Sequence, residues 1–269
     1  MITVLGSAGF IGSHLVRKLE VRRANYFKPG RDENLSGKKL GDVIYCIGLT
    51  ADFRTKPFET IEAHVCKLNA LLRDCDFDSL LYLSSTRLYG TQCGTAKEDD
   101  ALHFNPAEPS DLYNLSKAAG EAVALNCGRK TRVARLSNVY GSDFNSDNFL
   151  ATVIKDALVS GKVSLHTAPD SSKDYVDIDD VVDGLLNIAV RGRERIYNLA
   201  SGTNVANRTL LERISALTGC QVDVAPTAPK LTFPQINIDR MRNEFDFRPA
   251  QVLEDLSRLI ELYRHERKQ

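Results

Sequence analysis

Short apolar runs alternate along the first half of the chain with longer stretches in which apolar residues recur at helical spacing. In chain order, the elements that this pattern predicts are a strand at Ile2–Leu5, a helix at Phe10–Leu19, a strand at Asp42–Ile47, a helix at about 60–73, a strand at Leu80–Ser84, a helix at Pro109–Asn126 and a strand at Val133–Leu136. Strands and helices in regular alternation are typical of a parallel sheet covered by helices on both faces. The chain is therefore predicted to be an α/β protein.

The pattern becomes less regular after about Gly141, where most of the remaining loops and prolines occur. Tyr175–Ala189 and Tyr197–Ala200 look like returns to the sheet. We therefore expect a doubly wound α/β domain formed by residues 1–141 and 173–199. Residues 142–172 and 200–269 are expected to form a small, discontinuous lobe over the carboxyl ends of the strands, where open α/β sheets bind their ligands.

Charge and composition exclude several classes of partner. Lys plus Arg and Asp plus Glu both total 35, so the net charge is zero and nothing indicates a nucleic-acid or membrane surface. No apolar run approaches the roughly 20 residues that a spanning helix needs. The amino terminus, MITVLGSAGF, reaches its glycines too early for a signal peptide.

The cysteines and histidines indicate neither disulfides nor a metal site. Six cysteines are scattered without a C-x-x-C pair, which favours reduced thiols in a cytoplasmic protein. The five histidines show no ligand spacing, so we expect no bound metal.

The stretch GSAGFIG, with Gly6, Gly9 and Gly12, follows the first predicted strand and opens the first predicted helix. Glycines let the backbone turn tightly and approach a pyrophosphate, while the helix amino terminus offers amides and a partial positive charge. The context of strand, glycines and helix predicts a dinucleotide site rather than a plain tight turn.

A second motif, YNLSK, places Tyr113 four residues before Lys117. On a helix the two side chains lie on one face, and a nearby ammonium favours the phenolate. The pair could make Tyr113 a proton donor and acceptor, although such spacing also occurs by chance.

Seven motifs in order resemble those of the extended short-chain dehydrogenase/reductase family, in particular its nucleotide-sugar epimerases, dehydratases and ketoreductases. They are GSAGFIG (6–12), DVIYCIGLT (42–50), LLYLSSTRLYG (80–90), YNLSK (113–117), RLSNVYG (135–141), KDYVDIDDVV (173–182) and YNLASGTNV (197–205). The resemblance covers nearly the whole chain. It implies a Rossmann-type sheet with a small substrate lobe, a nicotinamide cofactor and a nucleotide-sugar substrate.

The same resemblance assigns roles to individual residues. Tyr113 matches the general acid/base, Lys117 the lysine that lowers the tyrosine pKa and binds the nicotinamide ribose, and Ser85 the catalytic hydroxyl. Matches to the cofactor-binding positions are Gly6, Ala8, Gly9, Phe10, Ile11, Gly12, Gly48 and Leu49, with Tyr113 and Lys117. Matches to the substrate-binding positions are Thr50, Thr86, Asn138 and Lys173. Asn138 could instead cap a loop.

The chain departs from the family after the second strand. About thirty residues that usually follow are missing between Gly30 and Asp42, so we expect a reduced sheet and a more open adenine pocket. Arg31 follows Gly30, which stands where NAD-preferring members carry an acid. Arg31 therefore favours NADP, whereas Asp32 or Glu33 close by would favour NAD.

Two further departures concern the substrate. Dehydratases of the family carry an Asp-Glu pair where this chain has Thr86 and Arg87, and Arg87 can neither protonate a departing hydroxyl nor remove a proton. Lys173 replaces the arginine that usually grips the substrate diphosphate, keeping its charge and losing its bidentate fork.

The resulting prediction is hydride transfer at a ring carbon of a nucleotide sugar, C4 by preference, by a ketoreductase. A 4-epimerase and a catalytically silent dinucleotide-sensing module are the alternatives. The family also implies a homodimer, formed by a four-helix bundle of helices 60–75 and 109–126. Val65, Leu68 and Leu72 are candidates for its interface, or for packing on the protomer's own sheet.

Overall fold

The main sheet has the predicted Rossmann arrangement. The computed structural model describes residues 1–50, 53–91, 94–143, 146 and 148–266. Within these residues, six parallel strands lie in the order β10-β6-β4-β3-β1-β2. They are β1 (Ile2–Leu5), β2 (Tyr26–Phe27), β3 (Asp42–Tyr45), β4 (Ser79–Ser85), β6 (Thr131–Leu136) and β10 (Ile196–Leu199). The remaining strands are β5 (Thr95–Ala96), β7 (Asn138–Tyr140), β8 (Lys162–Leu165), β9 (Ser172–Asp177), β11 (Asn204–Ala206), β12 (Gln221–Val224) and β13 (Gln235–Ile236).

Helices cover both faces of this sheet, as the alternation predicts. Their bounds are α1 Phe10–Val21, α2 Pro57–Ile61, α3 Lys67–Asp74, α4 Asp111–Asn126, α5 Phe149–Val159, α6 Ile178–Arg191, α7 Asn207–Thr218, α8 Asp239–Phe245 and α9 Val252–Glu266. One apolar core lies between the sheet and helices α1 and α6, and another lies between the sheet and helices α3 and α4. The α/β fold is therefore confirmed.

The sheet is reduced at its β2 edge, as the short spacing predicts. β2 has two residues and pairs with β1 alone in the described sheet. Residues 28–41, which we call the edge segment, connect β2 directly to β3 and contain no further described strand or helix. Leu40 of this segment is fully buried, while Arg31 to Asn34 are exposed.

One predicted return to the main sheet is wrong. β10 joins that sheet beside β6, but β9 pairs with β7 and β11 in a separate three-stranded sheet of the described chain. Helix α6, which follows β9, packs on the main sheet together with Val176 of β9. β9 contributes to a third core with residues of α5, α7 and α9. The division into two lobes at the predicted boundaries stays a prediction.

A single helical rod precedes β4, longer by three residues at its start than the apolar pattern predicts. It consists of α2, a π-helical turn at Glu62–Cys66 and α3. Leu68 and Leu72 are buried in the core beneath the protomer's own sheet, so the suggestion that they form a dimer surface is wrong. Phe58 and Ile61 point outward instead, at 86% and 37% exposure.

Candidate active site

The glycine-rich turn is built by close backbone contacts. Gly6 has φ of +80°, a conformation that L side chains rarely adopt, and Gly9 donates its backbone N–H to the Gly6 carbonyl at 3.0 Å. A Cβ on Gly12 would lie 2.2 Å from the same carbonyl oxygen. Helix α1 begins at Phe10, directly after the turn. The backbone amides of its first turn, Phe10 to Gly12, have no acceptor within the helix and can bind a phosphate group.

Tyr113 and Ser85 are brought together by the first turn of α4 and the carboxyl end of β4. Tyr113 is 5% exposed, and burial raises its pKa above the ordinary value. Side-chain hydrogen bonds with Ser85 and Thr50 and the positive charge of Arg87 act in the opposite direction. Two hydroxyls therefore converge on the tyrosine hydroxyl, as the assignment of Ser85 and Thr50 to the site requires.

Lys117 lies one helical turn after Tyr113 and is also buried. Its Nζ donates to the Leu83 carbonyl at 2.9 Å and lies 5.1 Å from the Tyr82 ring centroid. Burial lowers the pKa of Lys117 to about 7, while the charge of Glu121, one further turn along α4, opposes this effect. Glu121 is itself held by two hydrogen bonds from the buried Arg135.

His64 is a site residue that the sequence analysis missed. Leu49 donates its backbone N–H to His64 Nε2 at 3.1 Å, so Nδ1 carries the ring proton and donates to Ser116 Oγ at 2.8 Å. The ring lies edge-on to Tyr113 at 5.5 Å between centroids. Burial and the charge of Lys117 lower the pKa of His64 to about 3, so it is neutral at physiological pH.

The position of His64 depends on the π-helical turn. Such turns are rare and often occur at functional sites. The buried Tyr45 donates to the Ala63 carbonyl, and Tyr82 donates to the His64 carbonyl. Gly48 approaches so closely that a Cβ there would lie 3.2 Å from His64 Nε2 and 3.3 Å from Lys117 Nζ. The Gly48–Leu49 loop is therefore fixed against helix α4 by contacts that only tertiary packing creates.

Arg87 also has a place in the site that its sequence position did not reveal. Its guanidinium carbon lies 5.1 Å from the centroid of the Phe53 ring and 5.5 Å from that of Tyr113. The Phe53 ring packs against that of Tyr113 with the centroids 5.4 Å apart and the planes tilted by 48°, and the Arg54 guanidinium carbon lies 4.5 Å from the Phe53 centroid. The guanidinium groups of Arg54 and Arg87 therefore both lie near the Phe53 ring, which packs against Tyr113.

Lys173 adds a further positive charge to the site, beside a different aromatic ring. It lies on β9 with its Nζ 5.0 Å from the Phe149 ring centroid. Burial lowers the pKa of Lys173, and repulsion from Arg87 adds to the effect. Lys173 and Arg87 therefore face the same part of the cleft.

The side chain of Asn138 makes a hydrogen bond to the protein backbone. It is the first residue of β7 and donates its side-chain amide to the Asp174 carbonyl at 2.8 Å. Thr86 follows Ser85 at the carboxyl end of β4 and opens a 3₁₀ turn. Substrate contacts by Asn138 and Thr86 stay predictions.

The edge segment carries both candidates for selecting the cofactor. Arg31 is exposed, and Glu33 accepts the Gly30 backbone N–H at 2.9 Å while forming an ion pair with Lys38. The hydrogen bond from Lys38 is the main cause that lowers the pKa of Glu33. A cation and a carboxylate thus stand four and six residues after the end of β2.

The described residues give no support for a metal site or a membrane-spanning helix. They contain no cluster of His, Cys, Asp and Glu side chains that could hold a metal ion. None of the helices in the described ranges combines the length and apolar character of a membrane span. Five cysteines in these ranges are free thiols, and Cys93 lies outside the described residues.

Comparison with known sequences identifies the family. A sequence model described as the NAD dependent epimerase/dehydratase family matches residues 31–200, which is more than half of the chain. The chain belongs to this family. The glycine-rich turn precedes the matched range, which contains Ser85, Tyr113 and Lys117.

Individual relatives of the family differ in the reaction they catalyse. UDP-glucose 4-epimerase of Mycolicibacterium smegmatis is 26% identical over 97% of this chain and 98% of its own. dTDP-4-dehydro-6-deoxy-D-allose reductase of Streptomyces bikiniensis is 23% identical over 98% of this chain and 96% of its own. dTDP-glucose 4,6-dehydratase of Streptomyces griseus is 28% identical, but the match spans 66% of this chain and 56% of the relative.

A solved structure agrees with the fold. The dTDP-glucose 4,6-dehydratase DesIV of Streptomyces venezuelae, determined with NAD and TYD bound, has a TM-score of 0.84 at 21% identity and covers 99% of this chain. The extended short-chain dehydrogenase/reductase resemblance is therefore confirmed. The relatives are nucleotide-sugar enzymes, and the family cofactor is a nicotinamide dinucleotide.

Proposed function

We propose that this protein is an NADP(H)-dependent 4-ketoreductase of a nucleotide-activated sugar. The observation that carries the proposal is the convergence of Ser85, Thr50 and Arg87 on the Tyr113 hydroxyl. Burial keeps that hydroxyl protonated at neutral pH, and a reductase needs a proton donor at the ketone oxygen.

The residues present fit a nicotinamide dinucleotide. Gly6, Gly9 and Gly12 would hold the pyrophosphate at the start of α1, Gly48 and Leu49 would line the nicotinamide, and Lys117 would bind its ribose. A Cβ at Gly12 would clash with the Gly6 backbone, and one at Gly48 would press on His64 and Lys117, so both positions favour the close backbone approach that a cofactor cradle requires. When bound, the nicotinamide supplies hydride chemistry at C4 of the sugar.

Each residue of the site has a task in this reaction. Tyr113 delivers its proton to the carbonyl oxygen as that oxygen becomes a hydroxyl. Ser85 shares the oxygen and disperses its developing charge. Arg87 lowers the cost of the tyrosinate that remains, because it is the cation that lowers the tyrosine pKa most among the described residues. His64 holds the Gly48–Leu49 loop in position.

Particular features of the chain favour a reductase over a dehydratase or a 4-epimerase. Arg87 stands where a dehydratase needs an acid, and elimination requires both an acid and a base. A 4-epimerase must retain its cofactor through two transfers, whereas the short, exposed edge segment favours a cofactor that exchanges. The epimerase stays the second candidate because one of the relatives with the fullest coverage is a 4-epimerase.

A non-catalytic sensing module is a weaker explanation of the same residues. Such a protein needs the glycine-rich turn but has no use for a buried lysine, a buried tyrosine and a serine that meet at one point. Burying Lys117 is costly for the folded state, because its charged form is disfavoured there. A role in catalysis explains that cost.

The proposal is tested by incubating the protein with NADPH or NADH and a panel of 4-keto nucleotide sugars while following absorbance at 340 nm. A ketoreductase consumes NADPH in proportion to the keto sugar and forms one product. An epimerase interconverts 4-hydroxy nucleotide sugars without net loss of absorbance. Absence of both reactions, together with calorimetric binding of NADPH, supports the sensing module.

We also propose a homodimer through the outward side of the helical rod and of α4. Phe58 and Ile61, with the half-buried Val65, recur on one side of this rod at helical spacing, and the first two are exposed in the protomer. Sedimentation equilibrium at micromolar concentration should give twice 29.8 kDa for the wild type. Phe58→Glu should shift the protein toward the monomer, and a wild type that sediments at 29.8 kDa would remove the dimer.

A further inference from the structure

A buried histidine connects the loop after β3 to the helix that carries Tyr113. Both ring nitrogens of His64 make hydrogen bonds at the same time. Nε2 accepts the Leu49 backbone N–H, which requires that Nδ1 carries the ring proton. Nδ1 donates to Ser116 Oγ, and the Ser116 hydroxyl donates in turn to the Tyr113 carbonyl at 2.8 Å. The three hydrogen bonds form a chain that runs in one direction, from Leu49 to Tyr113.

Both ends of this chain lie in the proposed active site. Gly48 and Leu49 form the loop expected to line the nicotinamide, and a Cβ on Gly48 would lie 3.2 Å from His64 Nε2. At the other end, the His64 ring is edge-on to the Tyr113 ring, with 5.5 Å between the centroids. His64 therefore contacts the loop on the cofactor side and the tyrosine on the substrate side.

A histidine fills this space at a cost in free energy. Burial and the charge of Lys117 lower the pKa of His64 to about 3, so the ring is neutral in the folded protein. A protonated ring would have no lone pair for the Leu49 N–H and would repel the Lys117 ammonium. An apolar side chain would fill the same space without desolvating two ring nitrogens. What the histidine adds is the pair of hydrogen bonds that it holds in fixed directions.

We infer that His64 is a positioning residue that couples the two halves of the reaction. Its Nε2 fixes the loop that lines the nicotinamide, and its Nδ1–H fixes, through Ser116, the turn of α4 that carries Tyr113. This inference rests on the proposed reductase function. Because the two nitrogens serve different ends of the site, substitutions at this one position should separate cofactor affinity from turnover.

The test replaces His64 with two amides that each keep one of its hydrogen bonds. A glutamine amide reaches the position of Nε2, and an asparagine amide reaches that of Nδ1. His64→Gln should keep NADPH affinity, measured by calorimetry, within about twofold and lose about threefold to tenfold in kcat, the size of one lost buried hydrogen bond. His64→Asn should show the reverse at saturating NADPH. Turnover is measured with the 4-keto nucleotide sugar that the wild type reduces fastest.

A further variant and an NMR measurement test the chain without changing the buried ring. Ser116→Ala removes the same half of the chain as His64→Gln and should show the same loss of kcat. In the wild type, nitrogen NMR spectra of isotopically labelled histidine should contain one neutral ring, protonated at Nδ1, that does not titrate near the ordinary histidine pKa of about 6.5. This signal should be absent from His64→Gln.

The matched control is Thr131→Val. Thr131 is buried and donates to the Ala124 carbonyl at 2.6 Å, near the other end of α4. This variant also removes one buried hydrogen bond from the helix. It should therefore lose thermal stability and keep the wild-type kcat and NADPH affinity.

Each alternative gives a different result. If both His64 variants lose stability alone, as the control does, His64 is purely structural and the inference is overturned. Parallel losses of affinity and kcat in both variants would show that the two nitrogens do not act separately, which also overturns it, as would an Nε2-protonated ring in the wild type. A wild type that binds NADPH but reduces no keto sugar refutes the proposed function alone, because His64→Asn should still lose NADPH affinity and His64→Gln should keep it.

Discussion

The catalytic end of the site and the edge segment are built on opposite principles. Around Tyr113 and Lys117, buried side chains contact one another from four separate parts of the chain, and His64 ties the Gly48–Leu49 loop to this cluster. The edge segment near Arg31 is short, exposed and held by local contacts such as that between Glu33 and Gly30. The fold therefore holds the proposed catalytic residues by many contacts and leaves the proposed adenine-binding segment exposed.

This contrast indicates where substitutions should act. In the catalytic cluster, a change in one group alters the pKa and position of others, because burial strengthens electrostatic interactions. In the edge segment, a change should affect one contact with the cofactor and little else. Rate and stability should therefore respond at the first end, and cofactor preference at the second.

The largest expected effect is on turnover. Tyr113→Phe removes the transferable proton and keeps the ring that packs on Phe53 and His64. The kcat of the reduction should fall by about 10²–10⁴-fold, the usual contribution of general acid–base catalysis. Calorimetric binding of NADPH should change little.

The matched control is Tyr175→Phe. Tyr175 is equally buried, and its hydroxyl makes no hydrogen bond within the described chain. This variant should keep the wild-type kcat. A Tyr113→Phe variant that retains more than about a tenth of the wild-type kcat would show that another group moves the proton.

Local sequence patterns predict the elements that carry the proposed catalytic residues. β1, the glycine-rich turn and α1 are adjacent in sequence, so local signals identify them. Tyr113 and Lys117 lie on one helix face, and their spacing alone points to each other. His64 was missed because its partners, Leu49 and Ser116, lie 15 and 52 residues away, and a lone histidine in a helix carries no local signal.

The strands show the same limit. β2 has two residues, too few for an apolar run to reveal it. The local pattern of β9 predicts a strand. Its pairing with β7 and β11 depends on non-local contacts, so the local pattern does not reveal which sheet β9 joins. The role of Arg87 was equally hidden, since only the folded chain brings it against Phe53.

The next largest effect concerns the pH dependence of stability. Lys117 has a pKa of about 7 in the folded protein and its ordinary pKa of 10.5 when unfolded. Between these values the unfolded state binds more protons, so stability rises with pH. The gain should be about 2.3 kcal/mol between pH 7 and pH 9, because each pH unit contributes at most 1.36 kcal/mol and Lys117 in the folded protein is half protonated at pH 7.

Lys117→Met should remove this gain, so the difference in unfolding free energy between wild type and variant should shift by that amount between the two pH values. Urea unfolding at pH 7 and pH 9 measures it, with Lys39→Met as the control because Lys39 is exposed. Parallel pH dependences of wild type and Lys117→Met would show that the lysine keeps its ordinary pKa. The buried site would then be far less costly than its geometry implies.

The smallest expected effect lies at the edge segment and decides the cofactor. A charge-assisted hydrogen bond between Arg31 and a 2′-phosphate is worth about 1.5–3 kcal/mol, or roughly tenfold to hundredfold in affinity. Arg31→Ala should weaken NADPH by this factor and leave NADH unchanged, while Arg213→Ala, on the exposed side of α7, should change neither.

A variant of Glu33 makes this test more specific. The Glu33 carboxylate accepts a hydrogen bond from the Gly30 backbone N–H, and in that position it would repel a 2′-phosphate or accept a hydrogen bond from a ribose hydroxyl. If Arg31 selects the cofactor, Glu33→Gln should strengthen NADPH slightly, since a negative charge beside the phosphate is lost. If Glu33 selects it, the same variant should weaken NADH, and the wild type should bind NADH more tightly than NADPH. Calorimetric titration of both cofactors against the two variants therefore distinguishes the residues by the sign of the change, which does not depend on its size.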